Sequence, residues 1–348
     1  MTKKFGQIIL LGSGETAPTG RAILRNYLRD LDLKQKVAII ETPAGFQPSS
    51  AFVADEIAQV FGSSLKEFVS DVKVIPARKK GKGRYNTDNE EIVHSLKETT
   101  FFFLGPGSPT YTIKNLRNSK VWAEIIKLWQ EGATISLSSA AALAAGSYTL
   151  PVYEIYKAGF DLYWEKGLNI FAPLKLPITV ITHWNNTEGG ENLDTRFCFM
   201  GHDRFQNLVS SLPQNQLVLG IDEHTAVVFD FKNNLFFVTG AGKAFLLKNR
   251  QELVFDQAEK YSLDSFKLYK VIPVRTPTTN QSADKSFNDT QKPLSFEKLP
   301  ENIKNLAQKR ETERKKKNFK EADRLRKKLE ERGFRIEDQE TGTLLFRI

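Results

Sequence analysis

The chain has 348 residues, 40% of them hydrophobic, with 50 Lys and Arg against 41 Asp and Glu, a formal charge of +9 and a single cysteine, Cys198. That length holds one large or two ordinary domains around a real core, and one cysteine excludes an internal disulfide framework and any zinc site built from several thiolates. No stretch reaches the roughly 18 uninterrupted apolar residues of a membrane span, and the opening run QIILLG ends in glycine, short of a signal-peptide core. A cytoplasmic globular protein with no membrane partner is expected.

From the start to residue 150, short apolar runs alternate with helical patterns. QIILLG precedes RAILRNYLRDL, and KVAIIETP precedes AFVADEIAQVFG; VKVIPA, EEIVHSLKE, TTFFFLGPG, VWAEIIKLWQ and ATISLS follow. Continuous apolar runs read as strands buried on both faces, and helices between them make parallel crossovers. The expected fold class is α/β, a doubly wound, mostly parallel sheet with helices on both faces. From 178 to 247 the chain is richer in strands (ITVITHW, QLVLGIDE, AVVFDF, LFFVTG, AFLLK), which are expected to extend one edge of that sheet as antiparallel strands. Residues 271–293, rich in Thr, Ser, Asn, Asp and Pro without periodicity, read as a linker between a domain at 1–270 and a small module at 294–348. In that module Ile303, Leu306, Ala322, Leu325 and Leu329 recur at helical spacing, Asn318 and Gly333 are plausible breaks, and a closing hairpin is expected around Thr341 and Gly342. Residues 301–348 hold fifteen Lys or Arg against ten Asp or Glu, so this end is the basic part of the molecule.

In open parallel sheets the functional crevice lies beyond the carboxyl ends of the strands, so the loops after the apolar runs are the addresses to inspect. LLGSGET, Leu10 to Thr16, lacks the third glycine of a dinucleotide fingerprint. In FFFLGPGSPTY, Gly105 and Gly107 flank a proline that has no amide to donate. ISLSSAAALAAG, Ile135 to Gly146, places Ser138 and Ser139 where a strand turns into a small-residue helix, the setting of an exposed nucleophile. Of four histidines, His183 directly follows the run PITVIT, and His224 ends QLVLGIDE as a rival base. His94 lies within a helical pattern and His202 beside Asp203. A carboxylate should fix the imidazole tautomer; Glu154 is the candidate, with Asp161 and Glu165 as competitors.

These pieces resemble the family of serine peptidases that contains dipeptidase E and cyanophycinase, built on the class I glutamine amidotransferase-like fold. The resemblance spans residues 5 to 250 and rests on FLGPG, SSAAALAAG, GLNIF followed by ITHW, and GIDEHTAVV. It implies Ser139 as nucleophile, His183 as general base, Glu154 as orienting acid, and the amides of Gly107 and Ala140 as oxyanion hole. The implied reaction is acyl transfer on a peptide or amino-acid-derived amide, with no metal or cofactor. Asn185, Arg196 and Glu223 are the candidate substrate-binding residues. Two family glycines are replaced, by Leu137 and Ala141. One register earlier, Ser138 becomes the nucleophile, between Ser136 and Ala140. Glutamine amidotransfer needs a cysteine at the turn, whereas Cys198 follows His183.

The end of the chain, IKNLAQKRETERKKKNFKEADRLRKKLEERGFRIEDQETGTLLFRI, resembles the C-terminal module of cysteinyl-tRNA synthetases. The match includes Phe319, Ala322, Asp323, Arg326, Leu329, Gly333, Asp338, Gly342 and Thr343. It implies contact with tRNA or another RNA, for which Arg314, Lys315, Lys316 and Arg326 are the candidates. A core with little or no catalysis joined to an RNA-binding tail is the alternative to the hydrolase reading.

Overall fold

The computed structural model describes residues 5–249, 251–257, 259–274, 299–316, 318–330, 332, 334–339 and 342–347. The chain divides into two compact units, Met1–Arg275 and Thr276–Ile348. Among the described residues no helix is long and apolar enough to cross a membrane.

The first unit is a mixed α/β structure. Its alternating half supplies β1 (Ile8–Leu11), β2 (Gln35–Ile40), β3 (Val69–Ile75), β4 (Phe101–Leu104) and β5 (Thr134–Ser138). These are mutually parallel in the order β3-β2-β4-β5-β1. The runs of β1, β2 and β4 feed both faces of the sheet, as side-chain alternation along a strand requires, while β5 turns Ile135 and Leu137 to one face and Thr134, Ser136 and Ser138 to the other. Ile8, Leu10, Ala38, Ile40, Phe102, Leu104, Ile135 and Leu137 belong to one core cluster, and Ile9, Leu11, Val37, Ile39, Phe101 and Phe103 to the other. The helices between them are α1 (Pro18–Arg29), α2 (Ser50–Gln59), α3 (Glu90–Ser95), α4 (Pro109–Leu116), α5 (Lys120–Gln130) and α6 (Ala140–Ala145). The starts of three follow from capping chemistry: Asn89, Ser108 and Ser119 each accept a hydrogen bond from a first-turn amide of α3, α4 and α5 respectively, and Pro109 occupies a first-turn position where no amide is needed.

The strand-rich half departs from expectation. β10 (Thr225–Asp230) and β11 (Leu235–Gly240) do extend the large sheet antiparallel from β1, and β14 (Lys260–Ser262) completes it as an eight-stranded sheet. The ITVI, LVLGI and AFLLK runs instead form a second sheet in the order β13-β12-β9-β8, from β8 (Ile178–Ile181), β9 (Leu217–Ile221), β12 (Ala244–Lys248) and β13 (Gln251–Phe255). The short strands β6 (Tyr148–Thr149) and β7 (Glu165–Lys166) pair with each other. The reason lies in the chain length between β9 and β10: three residues, Asp222, Glu223 and His224, carry the chain from the small sheet to the large one. Such a corner needs an unusual backbone, and His224 takes a φ of 55° there. A third cluster, including Leu143, Val152, Ile181, Trp184, Cys198, Phe205 and Val218, packs α6 against the small sheet.

Val271 to Val274, expected to begin the linker, remain tied to the first unit: the Val274 amide donates to the Lys260 carbonyl at 2.7 Å, and Pro273 pairs with Tyr261. The rest of that linker lies outside the described residues. In the second unit, helices Glu301–Lys315 and Phe319–Glu330 break at Asn318, whose side chain bonds Glu313 at 2.8 Å. Leu299, Ile303, Ala307, Leu329 and Phe334 form its core. Strands Phe334–Gln339 and Gly342–Arg347 pair antiparallel; Gly333 and Thr341 lie outside the described residues.

Candidate active site

Ser139 stands at the carboxyl end of β5, immediately before α6, with φ 50° and ψ −112°. That is a sparsely populated backbone for a residue with a Cβ, and it is maintained because the Ser139 amide donates to the Leu11 carbonyl of the neighbouring strand. The small residues that follow suit α6, all of whose side chains are buried. Ser139 is half-buried and its Oγ lies 2.9 Å from His183 Nε2. The adjacent Ser138 is fully buried and donates to Glu15 Oε2 at 2.7 Å. The two hydroxyls therefore face different partners, and it is Ser139 that meets the imidazole.

His183 leaves the end of β8 with φ 51°. Parallel pairing of β8 with β9 sets Ile181 beside Gly220, so the residues just beyond both strands come together. His183 Nδ1 is 2.7 Å from Glu223 Oε1, which also accepts from Asn186 Nδ2 at 3.0 Å. Burial pushes the Glu223 carboxyl up, but the hydrogen bonds from His183 and Asn186 and the charges of His183 and His224 outweigh it, holding the group below its ordinary value. Asn185, expected to bind substrate, accepts from the Glu223 amide at 2.8 Å and so shapes this corner.

Glu154, expected beside the imidazole, is elsewhere. It accepts from Thr110 Oγ1 at 2.5 Å, in a cluster with Ser108. The expectation followed the order serine, carboxylate, histidine along the chain, whereas the contact is made by a carboxylate that follows the histidine. Glu223 was expected to bind substrate and instead meets the imidazole; like Ser139 and His183, it sits just past an apolar run. The rival base His224 donates its amide to Ser13 Oγ at 3.1 Å, and its ring packs so closely on Gly14 that a Cβ there would lie 2.3 Å from Nδ1. The GSGE turn thus braces the corner and, through Glu15, Ser138.

The other expected groups divide likewise. Ala140 opens α6, where first-turn amides have no intrahelical acceptor. Gly107, at φ 150°, is pressed against the Pro43 carbonyl. Both line one cleft with Ser139 and His183. Arg196 is clamped to Asp194 through Nε at 2.9 Å and Nη2 at 2.8 Å, a pairing that holds the Asp194 carboxyl far below the usual range, and it does not line that cleft. The left-handed residues Phe197 to Phe199 are pinned by hydrogen bonds that the Phe197 amide donates to the Trp184 carbonyl and the Cys198 amide to that of His183. Burial pushes the Cys198 thiol up to about 12, so it stays protonated at neutral pH. The cleft holds about 510 Å³. Among the described residues no group of three or more His, Cys, Asp or Glu is placed to hold a metal.

In the second unit Lys316 pairs with Glu313 at 3.2 Å and Arg326 with Glu330 at 3.4 Å, within their own helices. Arg314 lies one residue from the end of the first helix. The Lys315 side chain lies outside the described residues.

Residues 297–343 match the family model of the cysteinyl-tRNA ligase anticodon binding domain. A search of the curated proteins found no match. Among solved structures, a peptidase from an acI-B1 actinobacterium superposes with a TM-score of 0.59 at 23% identity, over 75% of this chain and 98% of that one. A putative peptidase E protein from Listeria monocytogenes EGD-e aligns over 73% of this chain and 100% of that one, at 13% identity and a TM-score of 0.43. The first unit therefore shares the fold of the actinobacterial peptidase, and the end of the chain is similar to an anticodon-binding domain.

Proposed function

We propose that the first unit is a serine hydrolase of the dipeptidase E and cyanophycinase type, cleaving a peptide or isopeptide-like amide through an acyl-enzyme. The observation that carries this reading is the Ser139 hydroxyl on a left-handed turn, 2.9 Å from an imidazole nitrogen whose other nitrogen meets a carboxylate. In the reaction, Ser139 Oγ attacks the carbonyl carbon as its proton passes to His183 Nε2. Glu223 holds Nδ1 protonated and balances the imidazolium charge, and the amides of Ala140 and Gly107 receive the developing oxyanion. His183 returns the proton to the leaving amine; water then enters, is deprotonated by the same nitrogen, and releases the acid. A fluorophosphonate probe is expected to label Ser139, with labelling lost in Ser139→Ala and reduced in His183→Ala. Undiminished labelling of Ser139→Ala would count against the assignment.

A second reading concerns the tail and can hold alongside the first. The likeness of residues 297–343 to an anticodon-binding domain supports RNA binding through its basic helices. The Lys316 and Arg326 side chains are themselves exposed and held by local ion pairs, of the kind that contribute little, so both can turn to a phosphate. In a filter-binding titration with bulk tRNA, the triple variant Arg314→Ala, Lys316→Ala, Arg326→Ala is expected to bind more weakly at low salt and to show a shallower salt dependence, by about one unit of slope per lost phosphate contact. Identical titration curves for variant and wild type would remove the tail from the RNA hypothesis.

A further inference from the structure

We infer that the cleft beside Ser139 selects an acyl group with an aromatic or bulky apolar side chain next to the scissile carbonyl; the inference rests on the hydrolase reading above. Its floor is apolar and buried: Leu143 stands one turn beyond Ser139 on the same helix, and Val152 lies beside it. Its walls are aromatic. The Tyr156 and Phe199 rings pack on each other at 5.3 Å as one aromatic surface of the lining, and Phe199 is 6.3 Å from the His183 ring. At the mouth, Tyr153 and Leu193 line the cleft with exposures of 40% and 47%. Beyond Tyr153 the apolar surface continues through Phe46, 6.4 Å away and 46% exposed, to Tyr111 at 5.3 Å from Phe46. Contiguous exposed rings at a catalytic cleft are the mark of a surface built to be covered by apolar matter, and rings with edges and faces both available accept another ring in tilted or offset geometry.

Charge points the same way. The charged lining residues besides the imidazole are Lys157 and Glu188, of opposite sign. The two arginines of the same loop region are occupied: Arg196 by Asp194, and Arg204 by the carbonyls of Met200 and Phe199. Leu143 and Ala140 belong to one helix, so the apolar floor begins within one turn of the nucleophile and of the amide that the hydrolase reading assigns to the oxyanion.

The test is a panel of aminoacyl p-nitroanilides, free and N-acetylated, bearing Phe, Leu, Ala, Asp or Lys, run on the full chain in parallel with fluorophosphonate labelling of Ser139. A kcat/KM for Phe and Leu about tenfold or more above Ala is expected, within the range that apolar pockets discriminate. The Phe to Ala ratio should collapse in Tyr156→Ala and, as a variant at a more exposed position, fall in Tyr153→Ala. A preference for Asp that disappears in Lys157→Ala, a flat profile, or a labelled enzyme that turns over no aromatic member overturns the inference and leaves the hydrolase reading standing. Failure of Ser139 to label overturns both.

Discussion

Glu223→Gln is expected to lower kcat by about 10⁴-fold, the scale seen when the carboxylate of a serine–histidine pair becomes an amide that selects the wrong imidazole tautomer. Glu154→Gln should leave turnover close to wild type, because a glutamine oxygen still accepts from Thr110 and neither atom touches His183. Steady-state hydrolysis by the two variants, side by side, assigns the acid; the reverse ranking would restore Glu154 to the role that chain order suggested. The same variant has a pH signature in stability. Since Glu223 is held below its ordinary value of 4.5, its contribution to folding is complete above that pH and drains away as pH falls through the lower folded-state value. Urea denaturation should show the wild-type advantage over Glu223→Gln at neutral pH narrowing as pH is stepped down below 4.5.

The second large effect is expected from a single methyl group. Gly107 has φ 150°, and a Cβ built there lies 1.9 Å from the Pro43 carbonyl oxygen, a backbone atom that also accepts the Ser108 amide. Gly107→Ala must move the turn, and with it the amide that the proposed mechanism assigns to the oxyanion. Loss of one oxyanion donor corresponds to about 10²- to 10³-fold in kcat, with substrate affinity much less changed. Because Ala140 is untouched, fluorophosphonate labelling should slow rather than vanish. A Gly107→Ala enzyme with unaltered kcat would exclude that amide from the reaction.

The alternating half of the fold was legible because strands buried on both faces leave a continuous apolar run, as in FFFL and IILL, and because Ser108-Pro109 and Ser119 announce helix starts. The second sheet was not legible. LVLGI and TAVVFD are alike in composition, and which sheet each joins depends on the corner at Asp222 to His224, where backbone angles rather than hydrophobicity decide. The same blindness explains the site. Ser139 and His183 each end an apolar run and were found by that rule. Glu223 ends one too, but a carboxylate's partner is set by the parallel register of β8 and β9, which a single sequence does not contain. Leu137 and Ala141, two residues to either side of Ser139, are both buried and form part of the packing around the turn.

The corner at Asp222 to His224 has one more consequence. His183 follows a strand of the small sheet and Ser139 a strand of the large one, so the Ser139–His183 contact spans two sheets of one compact unit, while Glu223 sits in the corner that joins them. The 2.9 Å hydroxyl–imidazole distance therefore depends on how the two sheets seat against each other, and the packing between them is part of the catalytic geometry.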